Sequence, residues 1–299
     1  MSALFTMAFS GAELDHCDTE RTAEHLRKAA AEPDARALVF GRYGPAVDQQ
    51  GQPLSVHPLS PELGELGTDL IFLGRELDTR RPWFAVRADL GLPPERYPDL
   101  RMAAGAMEPR ALALVGRARS LLHWHRYSGY CANCGGPTTI RKGGAVRHCG
   151  ACEREIYPSV TPVAIMLVEH TAENGENRLL LGRQAGWPPG SFSALAGFVS
   201  PGENLEECCR REVLEEVGVR VRNIRYLMSQ SWPFPHQLML GLACQAEGRE
   251  LVVDTDELET AQWFTRAEVE AVWSKTGEAF VRPPRFTIAH QLIRAWLKG

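Results

Sequence analysis

Residues 197–219 read GFVSPGENLEECCRREVLEEVGV, and this stretch decides the fold of the C-terminal half of the chain. A polar loop precedes a run with helical spacing, and Gly218 ends that helix at a position where a left-handed backbone favours glycine. On a helix that turns by about 100° per residue, Glu215 and Glu216 lie about 300° and 40° from Glu212. The stretch therefore predicts a strand, a loop and a helix with three carboxylates on one face.

The other side of this helix is aliphatic. Val213, Leu214 and Val217 lie at about 100°, 200° and 140° on the same scale, so we expect them to pack into a core. Like charges one turn apart destabilise a helix unless a cation offsets them. Carboxylate oxygens bind Mg²⁺ or Mn²⁺, which also hold substrate phosphates, and Arg211 can orient one carboxylate through a forked hydrogen bond. A solvated glutamate-rich surface is the alternative, but it does not account for the glycine and glutamate of the preceding loop.

A second pattern lies in residues 126–157, where glycine and cysteine replace aliphatic residues. Two CxxC pairs, Cys131 with Cys134 and Cys149 with Cys152, are separated by fourteen residues. This spacing predicts a tetrahedral zinc site, and four thiolates leave no open position, so the zinc would be structural. Bound metal would supply most of the folding energy of this segment. A redox pair or two disulfides are the alternatives, and the second requires an oxidising compartment.

The rest of the chain predicts mixed α and β structure. Strand candidates at residues 37–40, 70–73 and 83–86 alternate with turns rich in glycine and proline, and residues 111–127 have helical spacing. After the cysteine segment, the apolar runs 163–168 and 179–181 flank a polar turn, which predicts a hairpin.

The composition of the chain excludes several classes of protein. The 299 residues carry 33 basic and 37 acidic side chains, a net charge of −4, and 44% are hydrophobic. These values exclude a disordered, collagenous or strongly basic chain, and the length predicts more than one domain. The N-terminus has no basic region typical of a secretory signal, and no apolar run is long enough to cross a bilayer. We therefore expect a cytoplasmic protein in which the remaining four cysteines are free thiols.

An aromatic segment, SQSWPFPHQ, occupies residues 229–237. Prolines are expected to hold it extended and rigid, so that Trp232 and Phe234 are presented for stacking on a flat heterocycle. Packing of the two rings into a core is the alternative.

The first stretch reads G-x5-E-x7-R-E-U-x-E-E-x-G-U, where U is aliphatic, and here the chain resembles the Nudix hydrolase superfamily. Every defined position is matched, by Gly197, Glu203, Arg211, Glu212, Val213, Glu215, Glu216, Gly218 and Val219. The aromatic segment resembles the SQPWPFPxS signature of the NADH pyrophosphatase (NudC-type) branch, from which Ser231 and Gln237 depart. That branch also carries a four-cysteine zinc ribbon before its Nudix domain. The resemblance implies an α/β fold: a Nudix α/β/α sandwich (158–299) preceded by a zinc ribbon (126–157) and a mixed α+β N-terminal domain (1–125).

The resemblance also implies an activity. Two to three Mg²⁺ or Mn²⁺ ions would promote water attack on the diphosphate of NAD(H), giving NMN(H) and AMP, and the same cleavage would remove NAD caps from RNA 5′ ends. The catalytic residues implied are Arg211, Glu212, Glu215, Glu216 and Glu257. The metal shell implied is the Ala196 carbonyl with Glu212, Glu216 and Glu257. The substrate contacts implied are Arg101, Tyr157, Phe198, Gln230, Ser231, Trp232, Pro233, Phe234, Pro235, His236, Gln237 and Ala289. Members of this branch with a zinc ribbon are homodimers, so a homodimer is expected.

Two other functions stay open at this stage. The first is a Nudix hydrolase of another nucleoside diphosphate compound, such as ADP-ribose or a diadenosine polyphosphate, and the aromatic segment argues against it. The second is a zinc-ribbon RNA-binding regulator without catalysis. The intact set of glutamates argues against that, since an inactive domain has no reason to keep like charges stacked on one helix face.

Overall fold

The structure, a computed structural model, describes residues 7–63 and 70–299, apart from the side chain of residue 62. The N-terminal stretch considered for a secretory signal therefore lies partly outside the described residues, at positions 1–6. The chain divides into two compact units, one of Met1–Val160 with Ser231–His236 and one of Thr161–Gln230 with Gln237–Gly299. Among the described residues, no helix combines the length and apolarity that a bilayer span requires.

A five-stranded sheet forms the centre of the first unit. Its strands are β1 (Leu14–Asp15), β2 (Arg36–Phe40), β3 (Ser55–Val56), β4 (Ile71–Glu76) and β5 (Pro82–Arg87). Their order is β1-β4-β5-β2-β3, with β2 and β5 parallel and the other pairs antiparallel. The three strands predicted from apolar runs are confirmed as β2, β4 and β5. They supply half of the buried residues of a core in which the Phe72 and Phe84 rings lie 5.1 Å apart.

Among the described residues of the first unit, three α-helices accompany this sheet. They are α1 (Ala23–Ala31), α2 (Leu100–Ala103) and α3 (Pro109–Tyr127). The predicted helix at 111–127 is confirmed as α3, which starts at Pro109 because proline lacks the N–H that a first helical residue leaves unpaired.

A small three-stranded sheet follows α3. It consists of β6 (Thr138–Arg141), β7 (Val146–Cys149) and β8 (Glu155–Ile156), all antiparallel. Val146 is the only buried aliphatic side chain between residues 131 and 157. The segment therefore has almost no apolar core of its own, as the sequence predicted.

The second unit is built around a long central strand. Its strands are β9 (Thr161–Thr171), β10 (Asn177–Arg183), β11 (Leu195–Phe198), β12 (Val221–Trp232), β13 (Gln237–Ala246) and β14 (Thr260–Thr265). The order is β12-β13-β9-β10-β14, and β11 also pairs with β9. Residues 163–168 of β9 are all buried, which is typical of a strand covered on both faces. The predicted hairpin is confirmed as β9 and β10.

Helices cover both faces of this sheet. They are α4 (Leu205–Val217), α5 (Arg266–Ser274) and α6 (Ile288–Leu297). Leu242 of β13 joins the core cluster that contains α4, whereas a side chain added at the neighbouring Gly241 would meet Leu292 of α6. Neighbouring strand residues point to opposite faces, so α4 and α6 lie on opposite sides. The expected α/β/α sandwich is confirmed.

Candidate active site

Helix α4 is fixed at both ends by its own sequence. The Asn204 side chain accepts a hydrogen bond from the Glu207 backbone N–H (2.9 Å), and the Glu207 carboxylate accepts one from the Asn204 N–H (2.8 Å). At the other end, Gly218 adopts a φ of 72°, and its N–H donates to the Leu214 carbonyl (2.9 Å). The register of the helix is thereby set.

Glu212 packs directly against the backbone of β11. Gly197 pairs with Ala164 of β9, and a Cβ added at Gly197 would lie 1.8 Å from the Glu212 Cδ atom and 2.2 Å from both carboxylate oxygens. Real Cβ atoms do not approach other atoms so closely, so only glycine leaves room for the carboxylate here. The close contact with the Glu212 carboxylate therefore explains why the motif has a glycine at position 197.

We expect Gly197→Ala to weaken Mn²⁺ binding by about ten- to hundredfold, because the new methyl group must displace the Glu212 carboxylate. Titration calorimetry with Mn²⁺ measures the effect. Gly186→Ala is the matched control, since no atom lies within 4 Å of a Cβ at that position. Equal Mn²⁺ affinity in the two variants would contradict the role given to Gly197.

A third carboxylate joins the two from α4. Glu257 comes from the loop before β14, and one oxygen from each of Glu212, Glu216 and Glu257 lies within 4.8 Å of the others. The loop is held to α4 because the Asp254 N–H donates to the Glu216 carbonyl (2.9 Å) and Leu258 is buried. The three glutamates that the resemblance assigned to the metal are thus brought together.

The electrostatics of this group favour a cation. Glu212 and Glu216 are only 8% and 5% exposed, and burial raises the pKa of both carboxyls. For Glu216 the pKa rises to about 8, with the charges of Glu212 and Glu257 adding to the effect of burial. Among the described residues, the buried Glu216 Oε2 atom has no hydrogen-bond partner. A divalent ion with a preference for oxygen ligands would satisfy this atom, so the residues present fit Mg²⁺ or Mn²⁺.

Arg211 ties the loop to the helix. Its Nη2 donates to Glu203 (2.6 Å) and to the Phe198 carbonyl (3.0 Å), and its Nη1 lies 2.8 Å from Glu212 and 2.9 Å from Glu215. The hydrogen bonds from Arg211 hold the pKa of Glu203 at about 2. The sequence predicted that Arg211 orients one carboxylate, and in the structure it contacts three, those of Glu203, Glu212 and Glu215.

Two residues of α4 lie differently from the geometric expectation. Glu215 is exposed and paired with Arg211, so it lies outside the group of three. Leu214 is 43% exposed, and its prediction as a core residue is wrong. Val213 and Val217, which are fully buried, centre the apolar face, and Leu214 lies about 80° from that centre, at its margin.

The four predicted cysteine ligands also converge. The Sγ atoms of Cys131 and Cys152 are 3.7 Å apart, and those of Cys134 and Cys149 are 3.5 Å apart. Four sulfurs about 2.3 Å from one zinc ion would be about 3.8 Å apart, so this set fits a tetrahedral zinc site. Backbone N–H groups that point at Cys131 lower the pKa of its thiol to about 7, which favours the thiolate that a metal binds.

The sequence predicted an extended aromatic segment, and this is confirmed only for its first part. Residues 229–232 lie in β12, whereas residues 233–236 fold into a turn. Residues 233–236 form the reversal between the antiparallel ends of β12 and β13, with a cis peptide bond between Phe234 and Pro235. The prediction is wrong for residues 233–236, because the stiffness of proline does not reveal where the chain reverses between two strands.

Residues 231–236, which we call the aromatic turn, comprise this turn and the two strand residues before it. They belong to the first unit and pack there. The Phe234 ring is buried and lies 5.7 Å from Phe9 and 4.9 Å from Trp232, both edge to face. The guanidinium groups of Arg101 and Arg119 lie 4.5 and 5.1 Å from its centroid. The structure therefore brings together Arg101, Trp232 and Phe234 from the predicted substrate set.

The remaining predicted substrate residues are dispersed. In the first unit, Tyr157 is exposed and its hydroxyl donates to Glu155. Pro233 is buried, and the Pro235 carbonyl accepts a hydrogen bond from Ser120. The His236 ring lies 6.0 Å from the His123 ring. Ser231 is half-buried. In the second unit, Phe198 is exposed on β11, and Ala289 is buried in the first turn of α6. Ala196, whose carbonyl the resemblance assigned to the metal shell, is also exposed on β11. Gln230 is buried and donates to the Phe286 carbonyl (2.7 Å), while Gln237 begins β13 opposite Thr161.

Comparison with known proteins assigns the family. A NUDIX domain model matches residues 161–283, a model of the NADH pyrophosphatase-like rudimentary NUDIX domain matches residues 34–124, and a model of the NADH pyrophosphatase zinc ribbon domain matches residues 126–157. The NAD-capped RNA hydrolase NudC of Mycobacterium tuberculosis is 39% identical over 241 residues, which cover 76% of this chain and 75% of that protein. The chain belongs to the NudC-type branch of the Nudix hydrolase superfamily.

Two further relatives match this chain over different shares of their own length. The NAD-capped RNA hydrolase NudC of Chromobacterium violaceum is 37% identical over 240 residues, covering 79% of this chain and 84% of that protein. The NAD-capped RNA hydrolase NUDT12 of Homo sapiens is 42% identical over 201 residues, covering 64% of this chain. The matched part spans only 43% of the length of that human protein.

Sequence reasoning missed three residues around the Nudix centre and the aromatic turn. Glu203 was matched in the Nudix motif, but its role as the main partner of Arg211 was not foreseen, although the spacing of the motif contained that signal. Phe9 and Arg119 contact Phe234 across long sequence separations, and no local pattern marks either of them.

Proposed function

We propose that the protein is a divalent-metal-dependent hydrolase that cleaves the diphosphate of NAD(H) to NMN(H) and AMP, and that it also removes NAD caps from RNA 5′ ends. The observation that carries this proposal is the group formed by the buried Glu212 and Glu216 with the exposed Glu257, in which Glu216 Oε2 has no partner among the described residues. The choice of substrate is supported by the names of the NudC relatives and by the aromatic turn at residues 231–236.

Glu212, Glu216 and Glu257, with the Ala196 carbonyl, would hold two to three Mg²⁺ or Mn²⁺ ions. When bound, such ions offset phosphate charge and lower the pKa of a water molecule. The oxygen of water attacks one phosphorus atom, the bond from that phosphorus to the bridging oxygen breaks, and each product keeps one phosphate. A carboxylate of the glutamate group accepts the proton of the water.

The other residues of the centre act by positioning. Arg211 holds the Glu212 carboxylate and fixes the loop through Glu203, so the glutamate group is preorganised before substrate arrives. Glu215 is exposed and bound to Arg211, so we assign it to supporting this arginine.

The substrate contacts stay part of the proposal. Arg101 beside Phe234 offers a positive charge for a phosphate, and Trp232 offers a ring for stacking of a base. The remaining assigned contacts are Tyr157, Phe198, Gln230, Ser231, Pro233, Pro235, His236, Gln237 and Ala289.

We also infer a structural zinc ion, an oligomeric state and domain bounds. One structural zinc ion per chain would be bound by Cys131, Cys134, Cys149 and Cys152, whose sulfurs converge. We also propose a cytoplasmic homodimer, with an N-terminal domain at 1–125, a ribbon at 126–157 and a catalytic domain at 158–299.

A substrate panel tests the activity. Purified protein with Mg²⁺ or Mn²⁺ is incubated in parallel with NADH, NAD⁺, ADP-ribose and NAD-capped RNA, and the products are separated by chromatography. We expect AMP and NMNH from NADH, loss of activity with a chelator, and a kcat/KM for ADP-ribose at least about tenfold lower, because ADP-ribose lacks the nicotinamide. Rapid cleavage of ADP-ribose without cleavage of NADH would refute the proposed substrate, and no cleavage of any compound would favour the non-catalytic regulator.

A further inference from the structure

A cavity of about 490 Å³ lies in the first unit, and its lining includes none of the residues assigned to the dinucleotide. Its lining includes Arg42, Arg87 and Arg126, the exposed ring of Tyr43, and a single carboxylate, Asp89. A cavity with three guanidinium groups, one carboxylate and an exposed aromatic ring has the chemistry that binds phosphates and bases.

Arg87, which lines this cavity, has a buried hydrogen-bond donor without a partner among the described residues. Its Nη1 donates to the Gly41 carbonyl (3.3 Å), but within residues 7–63 and 70–299 its buried Nε has no partner. Burial and the charge of Arg126 both lower the pKa of Arg87. Because a partly buried guanidinium next to a second one is costly without an anion, the arrangement favours a negatively charged ligand.

Helix α3 carries further side chains from this cavity to the aromatic turn. Arg119 adds positive charge, whereas burial lowers the pKa of His123, so that its neutral ring adds only a hydrogen-bonding group. Arg119, His123 and Arg126 are four and three residues apart, so they share one face of the helix over about 10 Å. Arg119 lies 5.1 Å from the Phe234 centroid, and the His123 ring lies 6.0 Å from that of His236. In the described part of the chain, the buried Arg119 Nε and His123 Nδ1 atoms also have no hydrogen-bond partner.

We propose that this basic track, defined as Arg42, Arg87, Arg119, His123 and Arg126, binds the phosphodiester backbone of the RNA that follows a 5′ NAD cap. The inference rests on the proposed function, which assigns the turn at residues 231–236 to the cap. The track begins at that turn and ends in the cavity, where Tyr43 offers an exposed ring to a base. A free dinucleotide has no phosphates beyond its diphosphate, so the track serves the RNA substrate and not NADH.

The test compares two substrates in one double variant. Arg42→Gln with Arg126→Gln removes two exposed arginines, each of which lies over the ring of a neighbouring tyrosine. We expect kcat/KM for a 12-nucleotide NAD-capped RNA to fall about tenfold or more at low salt, and kcat/KM for NADH to stay unchanged. The slope of log Kd against log salt, measured by fluorescence anisotropy with the same RNA, should decrease by about 1.4, or about 0.7 for each lost phosphate contact.

The matched control is Arg220→Gln with Arg222→Gln, which removes the same charge from exposed positions of the second unit. An equal loss of RNA cleavage in the control variant would overturn the role proposed for the basic track. An equal loss of kcat/KM for NADH in the test variant would also overturn it. Unchanged RNA binding in the test variant would also overturn it, while wild-type cleavage of NADH would leave the proposed function intact. If the wild type cleaves neither substrate, the proposed function fails, and anisotropy with 5′-monophosphate RNA still decides whether these arginines bind RNA.

Discussion

Replacing Glu216 with glutamine is expected to lower kcat/KM for NADH by about 10³-fold or more and, in metal-free protein, to raise stability. Loss of one carboxylate from the metal group removes several kcal/mol of charge stabilisation in the transition state. The stability effect has the opposite sign because Glu216 is buried beside Glu212 and Glu257, which also carry negative charge. Glutamine keeps the shape of the side chain and removes the charge.

The pH dependence of stability separates these two effects. The pKa of Glu216 is about 8 in the folded metal-free protein and about 4.5 in the unfolded chain, so the folded state binds more protons between these values. Its contribution to stability is therefore fully present below about pH 4.5 and is lost as the pH rises through about 8. The loss amounts to a few kcal/mol at the upper end.

Thermal unfolding with and without Mn²⁺ measures this prediction. Without metal, the Tm of the wild type should fall relative to that of Glu216→Gln as the pH rises from 5 to 8, and at pH 8 the variant should melt at least about 3 °C higher. Mn²⁺ should raise the wild-type Tm far more than that of the variant, because a ligand of the folded state stabilises it. Glu206→Gln, at an exposed position of the same helix, should show neither effect. A variant that is inactive but also less stable at every pH would assign Glu216 a structural role.

The sequence was sufficient to place Glu212 beside Glu216, because fixed spacing on one helix determines which side chains share a face. Glu212 and Glu216 are one turn apart, and the capped helix has no freedom to change that relation. Helical geometry alone could not identify the third carboxylate, because Glu257 is positioned by a hydrogen bond between the Asp254 N–H and the Glu216 carbonyl. Only the resemblance supplied it.

Spacing was less informative where partners lie far apart in the chain. The turn at residues 231–236 could be recognised from its aromatic residues and prolines, but its packing depends on Phe9, Arg101 and Arg119. None of these carries a local pattern that indicates contact with Phe234. The basic track has the same origin, since Arg42 follows β2, Arg87 ends β5, and only the fold brings them to one cavity with Arg126.

Cys149→Ser is expected to abolish zinc binding and to unfold the three-stranded sheet of the ribbon. Between residues 131 and 157, Val146 is the only buried aliphatic side chain, and burial of one valine stabilises by only about 1.5–3 kcal/mol. Structural zinc in comparable four-ligand sites contributes roughly 10–16 kcal/mol, so zinc binding outweighs the burial of Val146 by a wide margin. Loss of one thiolate therefore removes most of the energy that folds this segment.

The damage should extend into the first unit, because the turn of the ribbon packs against its sheet. The buried His125 ring makes a hydrogen bond to the Gly144 carbonyl (2.9 Å), and Arg21 donates to both the Phe72 and Lys142 carbonyls (3.2 and 3.3 Å). When the ribbon unfolds, His125 loses its acceptor on Gly144 and Arg21 loses one of these two acceptors, the Lys142 carbonyl. A buried donor left without an acceptor costs about 1–3 kcal/mol. We therefore expect the Tm of the first unit to fall together with the zinc content.

Elemental analysis and thermal unfolding test both parts of this expectation. The wild type should contain one zinc per chain and lose stability on treatment with a zinc chelator, whereas Cys149→Ser should contain almost none and be insensitive to the chelator. Cys244→Ala, which alters a buried thiol of the second unit, should keep its zinc. Retention of one zinc per chain in Cys149→Ser would exclude the four-thiolate site. Loss of zinc without a lower Tm would show that the contacts of His125 and Arg21 hold the ribbon without metal.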